Sequence, residues 1–376
     1  MKISVKDRLY RSIVALVLSL ALVFCLFSPA KAAIGEPSVS ASSAILIDMS
    51  DQTVIYEKNA RERKGMASTT KIMTALVISE LLPLDKRISI PAEAVNVEGS
   101  SVYLTEGELL TVEQLLYALL LASANDAATA LAIAAMGSVE SFAEKMNEKA
   151  LSWGLCDTHF TNPHGLFDEQ HYTTAYDLAL ISAKALGNPT IKRIASSKKA
   201  IIPQGVTPEK LDGSSERYLY NHNKMLSLYD GAIGLKTGFT KATGRCLVSA
   251  AERDGMTLIS VTLDAPNDWN DHALMLDFGF SLYERVTLYD VGEFSCPFSV
   301  TGGKEAYVTL TNSEPITLTL PKARGEANLS VSAYRRFEFA PITKGRTMAW
   351  LTVSLEGKSI SSPLVSAYSI EAAHKK

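Results

Sequence analysis

The sequence predicts an α+β fold: an antiparallel sheet with helices packed against it, followed by a small all-β domain. Two observations carry this. Strand patterns at 43–59 precede helical periodicity over 68–186, and strand patterns return at 233–262. Elements segregated in this way build an antiparallel sheet, whereas a parallel sheet needs strands and helices in alternation. From Glu284 onward the pattern becomes short alternating runs with turn residues between them, the signature of an all-β module.

Residues 1–33 form a targeting segment. Lys2, Lys6, Arg8 and Arg11 give a positive n-region, residues 13–27 an apolar h-region, and Ala30-Lys31-Ala32 a small-residue cleavage pattern, which together predict export and removal. The apolar run falls short of the roughly twenty residues of a membrane span, which weighs against an uncleaved anchor. Leu22-Val23-Phe24 lacks the small residues expected before a lipidated cysteine at Cys25. The expected product is extracytoplasmic, at the cell surface or wall, with peripheral membrane association left open.

Residues 34–283 form the predicted main domain. Ala44-Ile45-Leu46-Ile47 and Val54-Ile55-Tyr56 flank a turn and read as a hairpin. Ser68 opens an apolar-periodic helix reaching Ile78. A second helical pattern, 111–122, starts with Thr111 as N-cap and Gln114 three residues on, a capping box. It breaks at Ser123-Ala124-Asn125-Asp126, residue types that favour caps and turns because their side chains bond to nearby backbone. Helical patterns follow at 127–135, at 142–151 and, capped by Thr174 with Asp177, at 174–186; Asn162-Pro163-His164-Gly165 is a loop. Residues 233–237 read as a strand, and 246–251 pairs with 257–262 across Asp254-Gly255, a hairpin signal. A helix at 271–283 closes the domain. Residues 284–376 hold alternating runs around Val300 and at 307–310, 316–320, 329–332 and 349–353, then a short tail. They carry no catalytic constellation, and a spacer or docking role fits them.

Composition narrows the function. A chain of 376 residues, 47% apolar and 20% charged, suits one large or two ordinary folded domains. A net charge of -3, without a basic stripe interleaved with aromatics, argues against a nucleic-acid partner. Once Cys25 leaves with the targeting segment, Cys156, Cys246 and Cys296 are too few for a disulfide framework in so large a chain. Cys246 lies in an apolar strand without a histidine partner and reads as a buried small hydrophobe. His159, His164 and His171 near Asp168 lack H-E-x-x-H spacing and read as exposed loop residues or caps, so neither zinc nor any other cofactor is expected.

Three short strings occur in one order: Ser68-Thr69-Thr70-Lys71, Ser123-Ala124-Asn125 and Lys236-Thr237-Gly238. S-x-x-K alone is weak. Roughly two chance matches are expected in a chain this long, and a second does occur, Ser196/Lys199. Context separates them, because Ser68 starts a buried helix while Ser196 lies in a basic run that reads as solvated surface. K-T-G is sharper, with about one chance match per ten such chains. A serine hydroxyl is a poor nucleophile until a base takes its proton. Lys71 can be that base when neutral, and burial together with the charge of Lys236 would lower its pKa. Ser123 can relay a proton to a leaving group, and Asn125 can hold an amide. The basic strand can receive a carboxylate.

On these motifs, with Thr161-Asn162-Pro163-His164-Gly165-Leu166, Asn221-His222-Asn223 and Lys236-Thr237-Gly238-Phe239-Thr240, the chain resembles the low-molecular-weight penicillin-binding proteins. These are serine-type D-alanyl-D-alanine carboxypeptidases of peptidase family S11, and the likeness is greatest to the DacF-like enzymes of Gram-positive spore formers. It covers 40–283 well and the β module more loosely. It implies a β-lactamase/transpeptidase-like main domain. It also implies removal of the terminal D-alanine from peptidoglycan pentapeptide through an acyl-enzyme on Ser68. Muropeptides are then the substrates and β-lactam antibiotics covalent inhibitors. The implied oxyanion hole uses the backbone N–H of Ser68 and one from the strand after Gly238.

Two departures matter. The tail at 361–376 is short and has no strong apolar face, unlike the membrane-lying helix with which members often end. Residues 264–276 lack the arginine that some members use for the substrate carboxylate, so that task falls to Lys236, Thr237 and Thr240. A β-lactamase is the nearest alternative, but no Glu-x-x-Leu-Asn string follows Asn162. A non-catalytic penicillin sensor or wall-binding protein is the other, and it should carry a long transmembrane region and a signalling domain, which this sequence does not display.

Overall fold

The computed structural model describes residues 35–208, 215–322, 328–332, 336–355 and 358–373; the predicted targeting segment at 1–33 lies outside the described residues. In chain order come β1 (Ser43–Asp48), β2 (Val54–Lys58), α1 (Lys71–Leu81), β3 (Arg87–Ser89), β4 (Leu109–Thr111), α2 (Val112–Leu121), α3 (Asn125–Met136) and α4 (Val139–Ser152). There follow α5 (Ala175–Leu186), α6 (Pro189–Ala195), β5 (Lys199–Gln204), β6 (Ser215–Tyr220), α7 (Met225–Leu228), β7 (Ala232–Thr240), β8 (Gly244–Arg253), β9 (Met256–Leu263) and α8 (Asp268–Leu282).

Five strands form an antiparallel sheet in the order β2-β1-β9-β8-β7. Its central strands are buried on both faces because helices cover both. Ile45, Ile47, Val248 and Val261 face a core that holds α1, α2, α3 and α5. Ala44, Leu46, Leu247 and Leu258 face a second core closed by Met275 and Leu276 of α8. Since successive strand residues point to opposite faces, each strand feeds both cores. The N-terminal eight residues of α1 and of α3 are all buried, as befits helices wrapped on every side.

The local signals largely hold. Thr111 and Gln114 form the predicted capping box, and Thr174 caps α5 by accepting from Asp177 N. The strand predicted at 233–237 runs on to Thr240, because its pairing with β8 continues to Gly244. The short elements β3, β4, α6 and α7 gave no sequence signal. Neither did the β5–β6 hairpin, which disguises its alternation by burying an arginine. Arg217 Nη1 and Nη2 donate to Glu108 at 2.5 and 2.9 Å, and further N–H groups reach the Val102, Tyr103 and Pro203 carbonyls. Removing either partner would leave a buried unpaired charge, at a cost of about 3–5 kcal/mol. This pair fastens the hairpin to the 98–108 loop beside the site.

The chain passes from α8 directly into β10 (Tyr283–Tyr289), followed by β11 (Ser295–Thr301), β12 (Tyr307–Asn312), β13 (Ile316–Pro321), β14 (Asn328–Ser332), β15 (Phe337–Phe339), β16 (Thr347–Leu355) and β17 (Lys358–Ser366). A six-stranded sheet, β14-β16-β17-β12-β11-β15, and the pair β10–β13 enclose Val308, Leu310, Leu318, Leu351 and Leu364. The stretch predicted as a tail therefore begins inside β17. Hydroxyl pairs stand in for apolar alternation there, Thr352 with Ser361 at 2.9 Å and Ser354 with Ser359 at 2.6 Å. Arg285 reaches Ser50 Oγ, and Thr319 N donates to Asp51 Oδ2 at 3.0 Å, so the β1–β2 turn is fixed to β10 and β13. Among the described residues no helix is long and apolar enough to cross a membrane.

Candidate active site

Ser68 sits in a 3₁₀ turn, Ala67–Thr70, that runs straight into α1. Residues three apart on such a turn share a face, and Lys71 Nζ lies 2.9 Å from Ser68 Oγ. Beneath the turn passes the 162–165 loop. A Cβ on Gly165 would stand 2.0 Å from the Ala67 carbonyl oxygen, and its φ is +86°, so only glycine fits. Asn162 fixes the loop, accepting from Gly165 N at 2.7 Å and donating to Leu166 O at 3.0 Å. Thr74 Oγ1 donates to Pro163 O at 2.6 Å. The loop thereby presents the His164 carbonyl oxygen 2.6 Å from Lys71 Nζ.

The second motif straddles the start of α3. Asn125 Oδ1 accepts from Lys71 Nζ at 2.7 Å, and its Nδ2 donates to Glu98 O at 2.5 Å. Asp126 accepts from Ser101 Oγ at 2.6 Å and from Leu104 N at 3.0 Å, which hangs the 98–104 loop on the helix. Ser123 has φ 60°. A non-glycine residue in this left-handed region is strained, and such strain gathers at functional sites.

The third motif lies on β7. A Cβ on Gly238 would come within 2.9 Å of Ser68 N and 3.1 Å of Met66 O, so the absence of a side chain lets the strand lie against the Ser68 turn. Lys236 is buried, donates to Thr237 O at 2.8 Å, and is drawn down to a pKa of about 7 by that burial. Lys71 is held well below its ordinary value, first by burial and then by the charge of Lys236, with Asp126 opposing.

A cavity of about 440 Å³ opens over these elements, lined by Ser68, Ser123, Thr237, Gly238, Phe239 and His222 from the motifs and, from outside them, by Ser100, Lys224, Arg245, Asp268 and Trp269. Lys71, Asn125 and Lys236 are buried and do not line it. Thr240 does not line it either; its hydroxyl lies 2.9 Å from Thr243 Oγ1 and accepts from Thr243 N at 3.0 Å. Ser196 is half-buried at the end of α6, with Oγ 2.7 and 2.8 Å from the Lys192 and Ile233 carbonyl oxygens. Its setting is thus backbone rather than the solvated surface its sequence suggested.

Two features escaped the sequence. Arg245 faces the cavity from β8, opposite Phe239 in the register. Both carboxylate oxygens of buried Asp268 lie 2.9 Å from its guanidinium, which also sits 5.7 Å from the Trp269 ring centroid. Residues 264–276 hold no arginine, whereas Arg245 arrives seven residues after Gly238 because the β7–β8 turn folds it back. The second feature is histidine burial. His164 and His171 are 9% and 4% exposed, not the exposed loop residues expected. His171 Nε2 lies 2.7 Å from Thr70 Oγ1, and its Nδ1 accepts from Thr161 N at 3.1 Å. Burial lowers His171 to about 4, and burial with the Lys71 charge lowers His164 to about 3. Cys246 is buried as expected, and burial pushes its thiol up to about 11, which keeps it from acting as a nucleophile.

Comparisons with known proteins point one way. Residues 30–267 match the D-alanyl-D-alanine carboxypeptidase family model, and 283–372 match the penicillin-binding protein 5 C-terminal domain. The chain is 34% identical to the D-alanyl-D-alanine carboxypeptidase DacF of Bacillus subtilis over 341 residues, 88% of this chain and 86% of that one. It is 32% identical to DacC of Escherichia coli over 369 residues, covering 92% and 89%. Among solved structures, penicillin-binding protein 5 of Haemophilus influenzae superposes with a TM-score of 0.73 at 26% identity, covering 90% of this chain and 99% of that one. A peptidoglycan synthesis regulatory factor (PBP3) of Streptococcus pneumoniae gives 0.76 at 25% identity, covering 89% and 100%.

Proposed function

We propose, for a chain that belongs to the serine-type D-alanyl-D-alanine carboxypeptidase family, that it removes the terminal D-alanine of peptidoglycan pentapeptides through an acyl-enzyme on Ser68. The observation that carries this is the set of partners around Lys71 Nζ. A neutral amine has two N–H donors and one lone pair. The His164 and Asn125 carbonyl oxygens, at 2.6 and 2.7 Å, take the two N–H groups, which leaves the lone pair for Ser68 Oγ–H at 2.9 Å. The lowered pKa of Lys71 supplies the neutral form.

Ser68 Oγ bonds to the carbonyl carbon of the penultimate D-alanine as its proton passes to Lys71. The backbone N–H groups of Ser68 and Phe239 hold the developing oxyanion, each donor contributing about 3–4 kcal/mol. The C–N bond then breaks, and the leaving D-alanine amine takes a proton relayed through Ser123. Water adds to the ester, restores the Ser68 hydroxyl and frees the shortened peptide. Asn125, whose oxygen and nitrogen are both engaged, positions Lys71. Thr237 and Arg245 on the cavity wall, with the charge of Lys236 beneath, receive the substrate carboxylate. A β-lactam follows the same route, but its leaving group stays tethered, so the acyl-enzyme persists. Such an enzyme works outside the cytoplasm at the wall, in keeping with the predicted targeting segment.

Incubation with a D-Ala-D-Ala pentapeptide, followed by assay of free D-alanine and intact-protein mass after benzylpenicillin, tests the reading. D-Alanine release together with a stoichiometric penicilloyl adduct on Ser68 supports it. An adduct without release points to a sensor, and rapid release of penicilloate points to a β-lactamase.

A further inference from the structure

The catalytic cavity is walled mostly by hydroxyls and charges, and its two apolar rings, Phe239 and Trp269, both neighbour Arg245. Phe239 stands directly opposite Arg245 in the β7–β8 register, so the two side chains share a face of the sheet. The Trp269 ring centroid lies 5.7 Å from the Arg245 guanidinium carbon. Buried Asp268 ties this pair together. Its Oδ1 accepts from Arg245 Nη2 at 2.9 Å and from Trp269 N at 3.0 Å. Both of its oxygens meet the same guanidinium nitrogen, and among the described residues Nη1 and Nε of Arg245 have no hydrogen-bond partner. The guanidinium is thus held by one corner, with two nitrogens left for a substrate. Trp269 sits in the first turn of α8, half-buried, and packs on the core that Met275 and Leu276 close. Its indole is therefore supported from behind where it meets the cavity.

We propose that Trp269 sets the size of the residue that leaves, a reading that rests on the carboxypeptidase function above. The side chain of an amino acid springs from the carbon that bears its carboxylate. With that carboxylate on Arg245, the side chain of the leaving residue lies within reach of an indole 5.7 Å from the guanidinium. A methyl group fits against the indole. A longer, branched side chain has to displace a ring that the core holds in place, and overpacking of this kind is unfavourable. Phe239 narrows the same end of the cavity. Arg245 then reads the carboxylate of the leaving residue and Trp269 reads its side chain, while Asp268 fixes the two relative to each other.

Acylated peptides ending in D-Ala-D-Ala and in D-Ala-D-Leu test this, with release of D-alanine or D-leucine followed at steady state. The wild type should favour D-Ala-D-Ala by at least about tenfold in kcat/KM, the lower end of what a misfitting apolar group costs. Trp269→Ala should lower kcat/KM for D-Ala-D-Ala by about fourfold, the scale of one buried methyl, and raise it for D-Ala-D-Leu by about tenfold. Opposite signs on the two peptides mark a size filter, since damage to the fold would lower both. Trp269→Phe, which keeps a ring on the core, should give an intermediate preference and replaces the alanine variant if that one does not fold. A wild type that releases D-leucine as fast as D-alanine, or a folded variant with the wild-type preference, would overturn the size filter alone. No release from either peptide by the wild type would overturn the carboxypeptidase reading and the filter with it.

Discussion

Lys71 Nζ lies 2.7 Å from Asn125 Oδ1, and the same Asn125 side chain holds the Glu98 carbonyl with its other end. The asparagine is therefore a neutral strut. It accepts from the lysine without offering the negative charge that would keep the lysine protonated.

That neutrality is testable. Asn125→Asp places a carboxylate where the amide oxygen stood. An adjacent opposite charge favours the charged form and raises a lysine pKa by about 1–3 units. The base must be neutral to work, so the rising limb of the pH profile for penicillin acylation should move up by at least about one unit. An unshifted limb would mean that Lys71 is not the base or that Asn125 does not sit beside it in solution.

Lys236 should act on the same limb from the other side. Its charge helps to depress Lys71, so Lys236→Met should also move the rising limb to higher pH. In the wild type, Lys236 titrates at about 7 and is charged below that pH. The kcat/KM for a free-acid peptide should then fall as pH rises through about 7, while that for the amidated peptide should not. Parallel profiles for the two peptides would remove Lys236 from carboxylate recognition.

Arg245 and Thr240 make opposing claims on the substrate carboxylate. Arg245 lines the cavity, and Thr240 is turned to Thr243. Arg245→Gln should lower kcat/KM for the free-acid peptide by about tenfold or more, and for the amidated peptide far less. Thr240→Val should affect both peptides alike. The reverse pattern would return the role to Thr240, as the sequence first suggested.

The buried histidines predict a stability profile. His171 titrates at about 4 in the folded chain, against about 6.5 when unfolded. Below pH 6.5 the unfolded chain binds the proton first, so stability is full above that pH and is lost as pH falls toward 4. For His171 alone the loss is about 3 kcal/mol by pH 4. Thermal midpoints should drop more steeply from pH 7 to 4 in the wild type than in His171→Gln. Equal slopes would contradict the burial.

The sequence carried the fold wherever a local rule decides it. Thr111 with Gln114, and Thr174 with Asp177, announced their helices, and Asp254-Gly255 its hairpin, because caps and tight turns depend on a few adjacent residues. What it hid depends on distant partners. Arg217 reads as surface until Glu108 arrives from another loop to bury it. β17 reads as a tail until its serines find hydroxyls on β16. At the site, Ser68, Lys71 and Asn125 could be proposed from motif order and from the buried helix that Ser68 opens, and the structure brings them together. The His164 carbonyl could not be foreseen, since a main-chain oxygen leaves no mark in a sequence. Arg245 leaves no mark either, because strand pairing, not chain distance, carries it to the cavity.

The most direct test of the central claim is the rate at which benzylpenicillin acylates Ser68 in Lys71→Arg, followed by intact-protein mass beside a thermal-unfolding control. Arginine keeps the positive charge but cannot give up its proton. A neutral base accounts for about 10²–10⁴-fold in rate. Acylation at neutral pH should fall by that much in a protein that still unfolds cooperatively. A folded Lys71→Arg enzyme that acylates Ser68 within a fewfold of the wild-type rate would contradict the account and assign the base to another group.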